Sequence, residues 1–74
     1  DKLMKYIIKR KKYFIKVKEL GQNFSPYLSV IDKNAATIFN TKEEAEKVVS
    51  DIKSDKNYKQ TSLLFGEPVI MEIK

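Results

Sequence analysis

The residues of this chain best suited to act on another molecule are basic and aromatic, and they occupy one stretch: Lys9-Arg10-Lys11-Lys12-Tyr13-Phe14-Ile15-Lys16-Val17-Lys18. Lysine and arginine neutralise phosphates or acidic side chains, and an aromatic ring beside them can stack a base. The candidate binding surface is therefore Lys9, Arg10, Lys11, Lys12, Tyr13, Phe14, Lys16 and Lys18. It lacks the glycine-spaced aromatics of the common RNA-binding sheet modules. Nearly all of its charge is lysine, whereas planar bidentate recognition generally uses arginine. Lysines on an exposed strand also discourage edge pairing and keep a small domain in solution. The pattern fits a nucleic-acid surface, a dock for an acidic protein, or a solvated face.

Little else in the chain can do chemistry. There is no histidine and no cysteine, so the usual general base, the commonest transition-metal ligand and the thiol nucleophile are all missing. Glu43, Glu44 and Glu46 cluster, but they belong to the start of an amphipathic helix. Asp51 and Asp55 are four apart and can share a helix face, yet two carboxylates without further ligands make a poor metal site. The D-x-D-x-D-G pattern of calcium loops is absent, and Gly21 and Gly66 do not form a phosphate-cradling loop. No catalytic residue, cofactor or metal is expected, and the chain does not read as an enzyme.

Seventy-four residues make one domain, 1–74, and 42% hydrophobic content with eight aromatics is enough to fold it. Asp1-Lys2-Leu3 ahead of Met4 read as extraneous residues, with Met4 the natural start. The net charge is +5, and residues 1–20, with eight basic residues against Asp1 and Glu19, carry +6 of it, leaving −1 for the remainder. That asymmetry points to an acidic or polyanionic partner on the N-terminal side. No stretch is long and apolar enough for a membrane span or a signal peptide, so an intracellular protein without membrane contact is expected. Asn23-Phe24-Ser25 matches a glycosylation sequon, taken as chance in that setting. Lys, Ile, Asn, Tyr and Phe dominate, as AT-rich codons would supply, which suits a low-GC bacterium or one of its phages.

The elements that must position the basic stretch are strands. Met4–Lys9 and Tyr13–Lys18 are rich in β-branched and aromatic residues, with Arg10-Lys11-Lys12 as a hairpin turn between them or, lacking Asn-Gly or Asp-Gly, the whole as one long bent strand. Alternation puts Tyr13, Ile15 and Val17 on one face, and Phe14, Lys16 and Lys18 on the other. Gly21–Pro26 reads as loop, Tyr27–Ile31 as a third strand, and Ala36–Phe39 as a short fourth strand or an extended lead-in. Thr41-Lys42-Glu43-Glu44 has the form of a capping box. Ala45, Val48, Val49 and Ile52 follow as one apolar stripe, predicting a helix over 42–53. Ser54–Ser62 reads as exposed loop, Leu63–Phe65 as the start of the last strand or an apolar patch, and Val69–Ile73 as the final strand. The expected fold is α+β: a small antiparallel sheet of three to five strands with one helix on one face, in the order β-β-β-(β)-α-β. The helix stripe is expected to bury against Tyr6, Ile8, Ile15, Val17, Leu28, Val30, Phe39, Met71 and Ile73. A core this small leaves room for homo-oligomerisation to contribute to stability.

Tyr6-Ile-Ile-Lys9, Tyr13-Phe-Ile-Lys-Val17 and Ala35-Ala-Thr-Ile-Phe-Asn-Thr-Lys-Glu-Glu-Ala45, with the closing strand, resemble small phage and prophage proteins of low-GC Gram-positive bacteria. The resemblance spans residues 5–73, and its motifs are structural: strands, a cap and a helix stripe. It implies an accessory protein of a mobile element that binds and modulates or inhibits a host protein or a protein–nucleic acid complex. A defence nuclease would be one such target, as for the anti-CRISPR proteins. The site of action implied is the bacterial cytoplasm. DNA-mimicking inhibitors of that class are acidic, and this chain is basic, so a mimic mechanism does not fit. The alternative is direct nucleic-acid binding through the basic N-terminal strands.

Overall fold

A computed structural model describes residues 4–18 and 26–73. The expected leading residues Asp1–Leu3, the loop residues Gly21–Ser25 and the sequon lie outside them. The fold is α+β: a four-stranded antiparallel sheet with two helices. The strands are β1 (Lys5–Arg10), β2 (Tyr13–Val17), β3 (Tyr27–Val30) and β4 (Val69–Ile73), in spatial order β3-β2-β1-β4. The helices are α1 (Lys42–Ser54) and α2 (Tyr58–Phe65).

The β1–β2 hairpin closes through the two residues Lys11 and Lys12, with Arg10 paired to Tyr13. Lys11 takes φ 52°, the positive value for which hairpin turns usually recruit glycine or asparagine. Beyond the turn β1 and β2 part, and the lead-in Thr37–Phe39 fills the fork between them. Tyr6 and Phe39 exchange backbone hydrogen bonds at 2.9 and 2.8 Å. The Thr37 N–H donates to the Ile15 carbonyl at 3.1 Å, and the Val17 N–H donates to Thr37 Oγ1 at 2.8 Å. The segment expected as a short strand or lead-in is thus a lead-in that bridges two strands through a single bridge pair.

Register decides what each face carries. Ile8 and Ile15 meet Phe39, Ala45 and Ile52 in the core, with Tyr6, Tyr27, Val48, Val49, Tyr58 and Ile70 packed around them. The stripe expected from Ala45, Val48, Val49 and Ile52 is therefore the buried side of α1. Ile70 pairs with Ile8, and Tyr27 pairs with Val17, so these residues share the core face. Leu28, Val30, Met71 and Ile73, expected inside, point to the opposite face. The more apolar parity of β3 and of β4 faces outward, because register with their partners turns Tyr27 and Ser29, and Ile70 and Glu72, to the core face. Val17, also expected inside, is exposed near the end of the sheet.

Thr41 caps α1 as its sequence predicts: φ is −132°, and Oγ1 accepts the Glu44 N–H at 3.2 Å. Acids in the first turn and Lys53 in the last suit the helix dipole. Near its C-terminal end Asp51 Oδ2 accepts the Tyr27 hydroxyl at 2.8 Å, tying β3 to the helix. Burial, then that hydrogen bond and the Asp51 charge, pushes the Tyr27 hydroxyl pKa up to about 12 from 10.0.

Two outcomes follow. Thr41→Ala is expected to lower unfolding stability by about 1 kcal/mol, read from urea denaturation followed by circular dichroism. Tyr27 holds its proton more tightly folded than unfolded. Its stabilisation is therefore complete below pH 10.0 and fades as pH rises toward about 12. Phenolate absorbance should show one tyrosine titrating late, and Tyr27→Phe should remove that component and flatten the alkaline loss of stability.

Candidate functional site

The eight basic and aromatic residues picked out by sequence do not form one surface. Across the face opposite the helices, register aligns Val30, Phe14, Lys9 and Val69 in a row through all four strands. Lys9 Nζ stands 5.8 Å from the centroid of the Phe14 ring, a cation–π pair across the hairpin. Lys16 lies on this face as well, opposite Leu28. Lys11 and Lys12 form the hairpin tip, with Lys12 Nζ 5.5 Å from the Tyr13 ring centroid. Lys18 lies just past β2, its backbone N–H donating to the Pro26 carbonyl at 2.7 Å.

Arg10 and Tyr13 point the other way, against α2. Arg10 is only 5% exposed. Its Nε donates to the Gly66 carbonyl at 2.8 Å, and Nη2 reaches Thr61 Oγ1 at 3.5 Å. The guanidinium carbon stands 5.8 Å from the Tyr58 ring and 5.7 Å from the Phe65 ring. Phe65 in turn meets Tyr13 edge-on at 5.1 Å. Burial pushes the Arg10 pKa below its ordinary value, with Tyr58 acting in the opposite sense. The one arginine of the basic run is a clamp between sheet and helix.

Helix α2 is what the sequence reading missed; Ser54–Ser62 was expected as loop, and Leu63–Phe65 as strand or patch. Tyr58, Thr61 and Phe65 recur at i, i+3 and i+7, which places them on one helical face, and that face grips Arg10. Gly66 ends the helix at φ 79° and ψ −177°, a region reserved for glycine. A Cβ there would stand 2.5 Å from Lys11 Cγ, so the Lys11 stem needs the bare glycine to lie across it. The Lys11 ammonium donates to the Leu63 carbonyl at 3.3 Å, near the C-terminal end of α2. The signal in the sequence was the Tyr58–Thr61–Phe65 spacing with Gly66 behind it.

This docking leaves Leu63 and Leu64 outside, 78% and 69% exposed. Ile31, next to Val30, is 71% exposed, and Val69, opposite Lys9, is 57% exposed. Val69 lies on the β4 edge and Ile31 just past β3 at the opposite edge, while Leu63 and Leu64 lie on α2 beside Lys11, at the hairpin end that also carries Lys9 and Lys12.

The carboxylates lead elsewhere. Asp51 accepts from Tyr27, and Asp55 Oδ1 accepts the Asn57 N–H at 2.8 Å, so the two do not combine. Among the described residues no group of three or more acidic, histidine or cysteine side chains could hold a metal ion. No helix among them is long and apolar enough to cross a membrane. A cleft of about 210 Å³ lies between α1, α2 and β3, with Arg10, Tyr27, Asp55 and Thr61 among its walls. No family model matches the chain, and neither a curated protein nor a solved structure is found to be similar to it.

Arg10→Lys tests the clamp. It keeps the charge but loses the fork, and should lower stability by about 1–3 kcal/mol because the buried Gly66 carbonyl loses its donor. Amide exchange across α2 should accelerate with it, whereas a solvated surface arginine would change neither quantity.

Proposed function

We propose that this chain is a non-catalytic binding protein of a phage or mobile element, acting by docking on a host protein or protein–nucleic acid complex and modulating or inhibiting it. A defence nuclease is one such target, and the bacterial cytoplasm is the place of action. The observation that carries this is the exposed pair Leu63 and Leu64 on α2 beside Lys11, whose ammonium reaches the Leu63 carbonyl, at the hairpin end that also carries Lys9 and Lys12. Exposed leucines gain nothing against a phosphate backbone. They gain a great deal against a protein surface with an apolar centre, and the lysines then match an acidic rim around it. The second reading, a nucleic-acid binder, keeps Phe14 with Lys9 and Lys16 on the outer face as its support. Arg10 no longer contributes to it, because its guanidinium is spent on the clamp.

Photo-crosslinking in a host lysate separates the two. A photoreactive residue at position 64 should capture a defined host protein. Leu63→Ser with Lys12→Glu should abolish that capture while moving stability by no more than about 0.5 kcal/mol, since both side chains are exposed. Titration with labelled single- and double-stranded DNA and RNA should show no tight binding at low salt. Tight binding that weakens steeply with salt, together with capture insensitive to Leu63 and Lys12, would replace the first reading with the second.

A further inference from the structure

The ladder of β1 fixes which backbone groups of β4 are left over. Tyr6 spends its N–H and carbonyl on Phe39, and Arg10 faces Tyr13 across the hairpin, so the even residues of β1 bond away from β4. The bonds to β4 therefore run through Lys5, Ile7 and Lys9, opposite Ile73, Met71 and Val69. Ile70 and Glu72 must then aim their backbone N–H and carbonyl groups out of the sheet edge. No described residue pairs with that edge. It carries no lysine, and its sequence is Val-Ile-Met-Glu-Ile. Within Val69–Ile73 there is no proline or bulge either, and Glu72 is the one charge, so the edge is lightly protected against pairing.

We infer that the open edge of β4 is a self-association surface, on which a second copy of this chain adds its own β4 antiparallel, making one continuous sheet across a two-fold axis. This goes beyond the docking role proposed above and does not depend on it. One register stands out. With Met71 on the axis, Ile70 of each copy faces Glu72 of the other, and each such pair exchanges both backbone hydrogen bonds. Val69 then meets Ile73 of the second copy on the outer face, continuing the row of Val30, Phe14, Lys9 and Val69. Centring on Glu72 would set two carboxylates directly opposite each other. Centring on Ile70 would set Glu72 against Pro68, which has no N–H to give.

The helix beside the edge is complementary to itself in the same sense. A groove of about 420 Å³ runs along α1 and reaches β4 at Ile70, lined by Glu46, Val49, Ser50, Lys53, Ser54 and Ile70. α1 forms one wall and Ile70 part of the floor. A two-fold axis beside β4 supplies the missing wall as α1 of the second copy, running in the reverse direction. Glu46 then faces Lys53 of the second copy, and Lys53 faces Glu46 of the second copy, while Val49 and Ile70 lose their remaining access to water.

Sedimentation equilibrium on the full chain tests this from about 10 to about 500 µM, a range in which weak small dimers assemble. The wild type should pass reversibly from monomer to dimer. Glu72→Pro should stay monomeric throughout with an unchanged circular dichroism spectrum, because the Glu72 side chain is exposed and its N–H points away from β1. Glu46→Lys should weaken the dimer about fivefold at low salt, and adding Lys53→Glu should restore it, as expected for two symmetric surface ion pairs. A wild type that is monomeric at the highest concentration overturns the proposal. So does a dimer that tolerates Glu72→Pro, or one indifferent to the charge exchange.

Discussion

The Arg10 guanidinium is the hub of the contacts that hold the second helix of this protein on its sheet. Arg10 sits where β1 ends, and everything around it is arranged to satisfy a buried cation that has no carboxylate partner among the described residues. The Gly66 carbonyl takes its Nε proton, and the Tyr58 and Phe65 rings offer their faces. Gly66 can present that carbonyl only because its φ of 79° lies in glycine's territory, and because no side chain keeps Lys11 from crossing it. Hairpin tip, helix end and helix face are thus one cooperative unit. Aromatic rings suit this duty, since they approach a cation without the desolvation penalty of a second buried charge.

The same unit shapes the surface. With Tyr58, Thr61 and Phe65 turned toward Arg10, the helical repeat leaves Leu63 and Leu64 facing water. The hairpin carries Lys9, Lys11 and Lys12 to the same end, so the apolar and basic exposures coincide. Solubility alone accounts for the lysines but not for adjacent leucines left uncovered. That coincidence is the support for the proposed docking on a protein rather than on a nucleic-acid backbone.

The fork between β1 and β2 is the second organising constraint. Thr37–Phe39 pairs with one strand through Tyr6 and with the other through Ile15 and Val17, so the sheet holds together where its central ladder opens. Filling the fork commits the even residues of β1 to that side and the odd ones to β4. An alternation set deep in the molecule thereby decides which backbone groups appear on its outer edge.

Several features were legible in the sequence because they are local. The Thr41 cap, the Ala45–Val48–Val49–Ile52 stripe, the hairpin and the closing strand Val69–Ile73 each follow from neighbouring residues and short-range geometry. So did the split of β2 into Tyr13 and Ile15 on the core face and Phe14 and Lys16 on the other. What only the tertiary structure decided involves partners far apart in the chain. Arg10 reads as one more surface cation until Gly66, 56 residues on, is found accepting from it. Residues 58–62 read as an exposed polar stretch, and 63–65 as a strand start or an apolar patch, because the apolar face of α2 is short and mostly aromatic, and its counterpart is a charge rather than a hydrophobic stripe. In β3 and β4 alternation favours Leu28 and Val30, and Val69, Met71 and Ile73, as the buried side, yet the core face carries Tyr27 with Ser29 and Ile70 with Glu72. The choice fell to register, which is set by pairing with β2 and β1, because a shift of one residue exchanges the two faces of a strand.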